Sequence, residues 1–311
     1  MSLLRQRLLR WFPFLGALHR LLHSVLDKMR RQETRLRNGI NYIRFDIVGE
    51  ERIQRLAKQA RNTPLDKPII HLYAACHNEE RIIPYFMDHY QRFVDAFFIY
   101  DNMSTDSSVE RLSGYANVTI IASETGGTFT EELLQRVKNT EWKQSRGRSD
   151  FVIACDMDEF LYHPEMAAFL HLLKRNAFTV AKPHGYDMVS EHLPEFDGVH
   201  PITQVIRTGF DSARDYSKTV LFSPALDGIN FTPGCHKSKP TGRIKRFQSS
   251  QLKLLHYKFV DRDLISKKTK HIRDRVSEND KRQGWNKHYL KPDDQVMQEF
   301  DFMLTLGRTI I

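Results

Sequence analysis

Hydrophobic spacing divides the chain near residue 62. Between residues 1 and 30, Leu4, Leu8, Trp11, Leu15, Leu18, Leu22, Val25 and Met29 recur at helical intervals, with Arg5, His19, His23, Asp27 and Arg30 on the other side. That spacing predicts an amphipathic helix, which Pro13 must break or kink. After "NTPLDKP", whose two prolines mark a boundary, short apolar runs alternate with helical patterns. Strands are predicted over "IIHLYAAC" (69–76), "AFFIYD" (96–101), "VTIIAS" (118–123) and "FVIAC" (151–155). Helices are predicted over "EERIIPYFMDHYQRF", over "STDSSVERLSGY" with Ser104 or Thr105 as N-cap, and over "TEELLQRVKNTEWKQSRG" to about residue 147. Such alternation predicts an α/β fold, an open, mostly parallel twisted sheet flanked by helices on both faces. The expected organisation is a basic amphipathic N-terminal arm over 1–62, a body over 67–260 and a C-terminal helical extension over 261–311.

Polar clusters follow three of the strands: "HNEE" after the first, "DNMSTD" after the second and "DMDEF" after the fourth. In an open parallel sheet these ends share one edge, and ligands bind there. Asp156 and Asp158 stand two apart at a strand end, a spacing that projects both to one side and turns Met157 away. Two close carboxylates repel unless a cation or a shared proton neutralises them. Oxygen ligands of this type suit Mg²⁺ or Mn²⁺, which complete their shells with phosphate oxygens. No Gly-x-Gly-x-x-Gly follows the first strand and no Gly-x-x-x-x-Gly-Lys-Ser/Thr occurs, so the usual glycine cradles for a diphosphate are missing. A metal can take over that task, and a nucleotide-diphosphate donor fits the pattern.

Charge narrows the choice further. The 311 residues carry 47 Lys and Arg against 38 Asp and Glu, a net +9. Residues 1–62 hold 14 and 5 of these, so the whole excess sits in the arm, and the remaining 33 of each sign cancel. A neutral body lacks the footprint of a nucleic-acid binder, so no nucleic-acid partner is expected. An Arg-rich amphipathic stretch with Trp and Phe suits a membrane surface, contacted through residues 1–35. Packing on its own body, or on a second copy to give a homodimer, is the alternative. No run approaches the roughly 18 unbroken apolar residues of a membrane span, and the arm is too interrupted by Arg and His for a secretory signal. Cys76, Cys155 and Cys235 read as reduced thiols, which places the chain in the cytoplasm, peripheral on the inner face of the cytoplasmic membrane if the arm binds there.

The order of "AACHNEE", "FIYDNMSTDSS" and "VIACDMDEF" resembles the nucleotide-sugar half of a GT-A glycosyltransferase and is similar to glycosyltransferase family 2. The likeness continues through "KPHGYDMVSE", "DYSKTVLFSP", "NFTPGCHK" and "LLHYK", a bacterial subset with some resemblance to family 92, and covers roughly residues 68–290. It implies a GT-A catalytic domain over 67–260. The implied reaction is metal-dependent transfer of a sugar from a UDP-sugar to an acceptor hydroxyl, with inversion, in cell-surface glycan synthesis. A glycan or lipid-linked acceptor goes with it. The resemblance places Asn78 and Glu79 beside the nucleoside and Asp101 on a uracil-type base. It makes Asp156 and Asp158 the metal pair, with Asp158 the more direct ligand, and gives His256 a place in the metal shell. Asp101–Asn102 stands where family 2 often shows two adjacent acids. Lys138, with Lys143 and Arg146, would offset diphosphate charge, and cations of the run from Lys267 to Tyr289 would close over it. For the base that takes the acceptor proton, Glu191 comes first and Asp187 second, with Asp211 and Asp215 behind.

Simpler readings stand beside these. Asp101 and Asp106 are good helix caps, His256 follows an apolar run as a core histidine would, His236 is a second metal candidate, and the lysines suit a solvated helix face. Two other functions compete with transfer. One is a non-catalytic GT-A-like module that binds nucleotide or tethers partners at a membrane. The other is an Asp-nucleophile phosphohydrolase; such enzymes place the acid pair on the first core strand, followed by Thr or Val, whereas here it ends the fourth and precedes Glu-Phe.

Overall fold

The computed structural model describes residues 50–60, 65–123, 125–212, 216–247 and 249–311. The arm's amphipathic helix and its membrane or dimer surface, along with Asp215, lie outside the described residues. Four parallel strands form the centre as the alternation predicts: β1 (Ile70–Cys76), β2 (Ala96–Asp101), β3 (Val118–Ala122) and β4 (Phe151–Ala154). β1 lies between β2 and β4, and β3 closes one edge.

The strands are apolar at consecutive positions because both faces of the sheet are covered. Ile70, Leu72 and Ala74 of β1 join Phe97, Ile99, Phe151 and Ile153 in one core. The alternate positions Tyr73, Phe98, Tyr100, Val152 and Ala154 enter the other. Helices Ile83–Tyr90 and Met166–Arg175 pack on the first face; helix Glu131–Asn139 and the 3₁₀ turn Glu141–Ser145 pack on the second.

Beyond β4 the chain builds β5 (Glu159–Tyr162), β6 (Val180–Ala181), β7 (His184–Ser190), β8 (Thr208–Asp211) and β9 (Leu221–Phe222). A hairpin of β10 (Gly228–Phe231) and β11 (Ser238–Thr241) comes next. Then follow β12 (Arg246–Phe247), β13 (Lys253–Val260) and β14 (Arg308–Thr309). The main sheet has the order β12-β6-β9-β4-β1-β2-β3, with β9 antiparallel to its neighbours β4 and β6. A second sheet has the order β14-β8-β7-β13-β5. There β13 runs parallel to β7 and antiparallel to β5, a register that sets His256 opposite both Asp187 and Glu159.

Three elements differ from expectation. The helix expected from Ser104 starts at Ser108, with Ser107 rather than Ser104 or Thr105 as N-cap. The reason is local: Asn78 Oδ1 accepts the Thr105 N–H at 2.7 Å, and Asp101 Oδ2 accepts the Ser104 N–H at 3.1 Å. Residues 101–106 are thereby strapped to the loop after β1 and cannot coil. The helix expected to reach about residue 147 breaks at Thr140 into an α-helix and a 3₁₀ turn. The C-terminal extension is not wholly helical, since β14 pairs with β8. Packing also begins ahead of residue 67: residues 50–60 are helical, Ile53 is buried, and Glu50–Ile311 forms one compact unit.

Candidate functional site

A cavity of about 200 Å³ lies at the carboxyl ends of β1, β2 and β4. These three ends contribute Glu79, Asn102, and the pair Asp156 and Asp158, and flanking segments add Lys138, Lys218 and Lys268. Carboxylates and ammoniums therefore interleave around one space.

Asp156 and Asp158 lie in the turn joining β4 to β5 rather than on the strand, and each meets its own cations. Asp156 Oδ1 is 2.7 Å from Lys138 Nζ, and its Oδ2 is 3.3 Å from Lys218 Nζ. Lys218 also reaches Glu159 Oε1 at 2.5 Å. Lys138, Lys218 and Glu159 are only 2%, 4% and 0% exposed, a depth at which charge survives only when paired. Burial opposes ionisation of Asp156, but Lys138 and Lys218 outweigh it and hold the carboxyl well below its usual range. Burial likewise opposes the charge on each lysine, and the facing carboxylates raise both ammonium pKa values above the ordinary lysine range. Lys138 stands in the last turn of its helix, where the terminal carbonyls also favour a cation.

Asp158 Oδ2 is 2.9 Å from Lys268 Nζ, and Oδ1 is 3.5 Å from His256 Nε2. Burial resists ionisation here too, and Lys268 with His256 overrides it, so Asp158 is held well below the usual carboxylate range. The same Lys268 ammonium lies 2.7 Å from Glu79 Oε1. Burial, with Asp158 adding to it and Lys268 opposing, pushes Glu79 up to about 7. Behind His256, its Nδ1 sits 2.7 Å from Asp187 Oδ1, while Asp187 Oδ2 accepts the Ser212 hydroxyl at 2.6 Å. Burial would lower the His256 pKa; Asp158 and Asp187 outweigh that and push it up to about 9. A histidine anchored through Nδ1 to a carboxylate, with Nε2 turned toward a second carboxylate in a cleft, has the arrangement of a metal ligand. Asp158 and His256 therefore fit a divalent cation. Asp156 has both oxygens engaged by lysines. Among the described residues no three His, Cys, Asp or Glu side chains converge on a metal position. Two side chains would suit an ion such as Mg²⁺ or Mn²⁺ only if other oxygen ligands completed its shell.

At the end of β2, Asp101 Oδ1 is buried with no hydrogen-bond partner, although Oδ2 has one. Arg275 faces the same region: its Nη2 donates to the Asn102 carbonyl at 3.1 Å and its Nη1 is buried without a partner. His77 Nδ1–H donates to the same carbonyl at 2.7 Å, which leaves His77 Nε2 to accept from His271 Nε2 at 2.6 Å. Burial, reinforced by Arg275, pushes His77 down to about 4, so the ring is neutral at pH 7. Asn78 adopts φ 54° and ties Thr105 to β1, and Asp106 accepts from Ser108 and Glu80, as the capping alternative requires.

The remaining expected residues scatter. Glu191 is exposed just beyond β7 and does not line the cavity, whereas Asp187 is committed to His256 and Ser212. Asp211 is exposed and sits 2.8 Å from His184 Nε2. Lys143 is exposed, and Arg146 is tied to the carbonyls of Pro224 and Leu226. His236 lines the cavity edge-on to Tyr216, 5.2 Å between centroids. Sequence reasoning missed Lys218, and it included Lys268 and His271 only within the run from Lys267 to Tyr289. Lys268, His271 and Arg275 recur beside the buried Ile265 and Ile272 of helix Arg262–Arg275, a cationic stripe that helical spacing could have revealed. Lys218 precedes a two-residue strand, and no periodic signal marks it.

No family model matches the chain, and no curated protein matches it. Among solved structures, residues 1–349 of S. aureus TarS in complex with UDP align over 75% of this chain and 70% of that one, at 13% identity and a TM-score of 0.39. Glucosyl-3-phosphoglycerate synthase from Mycobacterium tuberculosis, with Mn²⁺, UDP and glucosyl-3-phosphoglycerate, aligns over 43% of this chain and 48% of that one, at 18% identity and a TM-score of 0.25. The same synthase with Mn²⁺ and UDP-glucose aligns over 43% and 47%, at 20% identity and a TM-score of 0.28.

Proposed function

We propose that the chain is a metal-dependent glycosyltransferase that moves a sugar from a UDP-sugar to an acceptor hydroxyl, with inversion, in the synthesis of a cell-surface glycan. The observation that carries this reading is His256, aimed by Asp187 at Asp158 on the ligand edge of a parallel sheet. Asp158 and His256 would hold the metal, which would supply Lewis-acid stabilisation to a leaving diphosphate.

The chain's own groups do the rest. Asp187 holds the His256 Nδ1–H and so orients the ring with Nε2 toward Asp158. Lys138 and Lys218 clamp Asp156 and so hold the turn that presents Asp158. Asp101 Oδ1, an acceptor without a donor, takes the N–H of a uracil-type base beside Asn78 and Glu79. Glu191 is the proposed base, ahead of Asp187, because an exposed carboxylate can meet an acceptor hydroxyl and an engaged one cannot. The acceptor is a glycan or a lipid-linked glycan, brought near by an arm that binds the membrane surface.

Asp158→Ala should abolish turnover and the Mn²⁺-dependent part of UDP binding, read by calorimetry with and without Mn²⁺. A variant that binds UDP and metal like the parent contradicts the site assignment. Glu191→Gln should lower kcat by about 10²–10⁴-fold with UDP affinity unchanged; a parent-like kcat removes Glu191 from the reaction. The alternative of a non-catalytic nucleotide-binding module draws on one observation, that lysines already neutralise the cleft carboxylates. Measurable UDP-sugar hydrolysis excludes it.

A further inference from the structure

A second hollow of about 230 Å³ adjoins the donor cavity and shares Glu79, Asp158, Lys268 and His271 with it. Each alone falls short of the roughly 300–1,000 Å³ typical of small-molecule sites. The Lys268 side chain lines both hollows, its Nζ reaching Glu79 Oε1 at 2.7 Å and Asp158 Oδ2 at 2.9 Å. The two carboxylates come from different strand ends, so this ammonium is a crossbar over the cleft.

We propose that Lys268 is a tethered competitor of the divalent cation: its ammonium holds the Glu79–Asp158 pair, yields Asp158 to the metal, and moves onto the donor diphosphate. The proposal rests on the donor-site reading above. It follows from electrostatics. A divalent ion on the same carboxylate repels the ammonium that Asp158 Oδ2 holds at 2.9 Å and weakens that ion pair. The lysine is thereby driven off, and its anchorage lets it move. Helix Arg262–Arg275 is pinned through Ile265 and Ile272, while the Lys268 side chain stays 37% exposed on a flexible four-carbon stem. Without a new anion the displaced ammonium forfeits two ion pairs, which penalises metal binding. A diphosphate supplies that anion, so metal and diphosphate bind cooperatively, each raising the other's affinity by the same factor. His271 and Arg275, on the same stripe, hold the helix to the Asn102 end of the cleft through His77 and the Asn102 carbonyl.

The test is calorimetry on the full chain at fixed pH with MnCl₂ alone, UDP alone, and both, for the parent, Lys268→Met and Lys268→Gln. The Lys268 side chain is partly exposed, and a thermal melt of each variant checks that it folds. The expected result is Mn²⁺ alone bound about tenfold tighter in both variants, with the enhancement of UDP affinity by Mn²⁺ reduced by a similar factor. A merely structural lysine would weaken metal binding or leave it unchanged when replaced, and either outcome overturns the proposal. The donor-site reading fails separately: tighter Mn²⁺ in the variants with no UDP binding by any form upholds the competition and removes the donor.

Discussion

Lys218 holds two carboxylates at once, Asp156 and the fully buried Glu159. Replacing it with an apolar residue leaves Glu159 without its ammonium in a low-dielectric setting, while Asp156 keeps Lys138. Lys218→Met should therefore cost about 3–5 kcal/mol in urea denaturation, against the ~1 kcal/mol of an average substitution. A cost below ~1 kcal/mol would mean that water already reaches the pair. Asp187 acts through another residue. Asp187→Asn should weaken Mn²⁺ binding about 10–100-fold, read by manganese resonance, since the amide no longer anchors the His256 Nδ1–H as a carboxylate does. Unchanged affinity would reduce Asp187 to a packing role. Single residues were unevenly legible in the sequence. The Asp156–Asp158 pair declared itself through its place after an apolar run. Lys138, and Lys268 within the run from Lys267, read as cations for a diphosphate, and nothing in the sequence marks Lys218. Their pairing with the two aspartates is hidden, because these lysines come from segments up to 110 positions away and meet the pair only in the folded chain.

At the scale of elements, the helix Ile83–Tyr90 locks β5, which follows the Asp156–Asp158 turn, to the core. Tyr90 Oη donates to the Glu159 carbonyl at 2.8 Å, and His89 Nε2 donates to the Leu161 carbonyl at 2.9 Å amid the rings of Tyr90, Phe93 and Phe160. Burial, only partly offset by that carbonyl, pushes His89 down to about 4 from 6.5. The unfolded chain takes up this proton below pH 6.5, while the folded chain resists until about pH 4. Between those values His89 withdraws stability as pH falls, by up to ~1.4 kcal/mol per unit, and above them it has no effect. Urea midpoints at pH 5 and pH 7 should converge in His89→Gln relative to the parent; an unaltered difference would assign the acid sensitivity to other groups. The four central strands were legible because burial on both faces makes them continuous apolar runs. β6, β9 and β12 escaped notice because two-residue strands carry no period. The delayed start of helix Ser108–Ser113 depends on a contact with Asn78, which no local pattern encodes.

For the molecule as a whole, the +9 charge and the candidate site belong to different parts of the chain. Residues 50–311 form a compact unit with its own cores, and no described helix is long and apolar enough to cross a membrane. Residues 1–35 joined to a reporter should partition onto anionic vesicles and leave them as salt rises. A reporter that remains in solution at low salt would favour packing of the arm on protein. The central claim, however, concerns the cleft: Asp158 and His256 seat a divalent ion that grips a nucleotide diphosphate. Anomalous diffraction at the manganese edge, from crystals soaked with UDP and Mn²⁺, tests it most directly. The account predicts one strong peak between Asp158 Oδ1 and His256 Nε2, with the uracil ring against Asp101. Density for UDP elsewhere, or Lys268 still bridging Glu79 and Asp158 with no peak beside them, would contradict it.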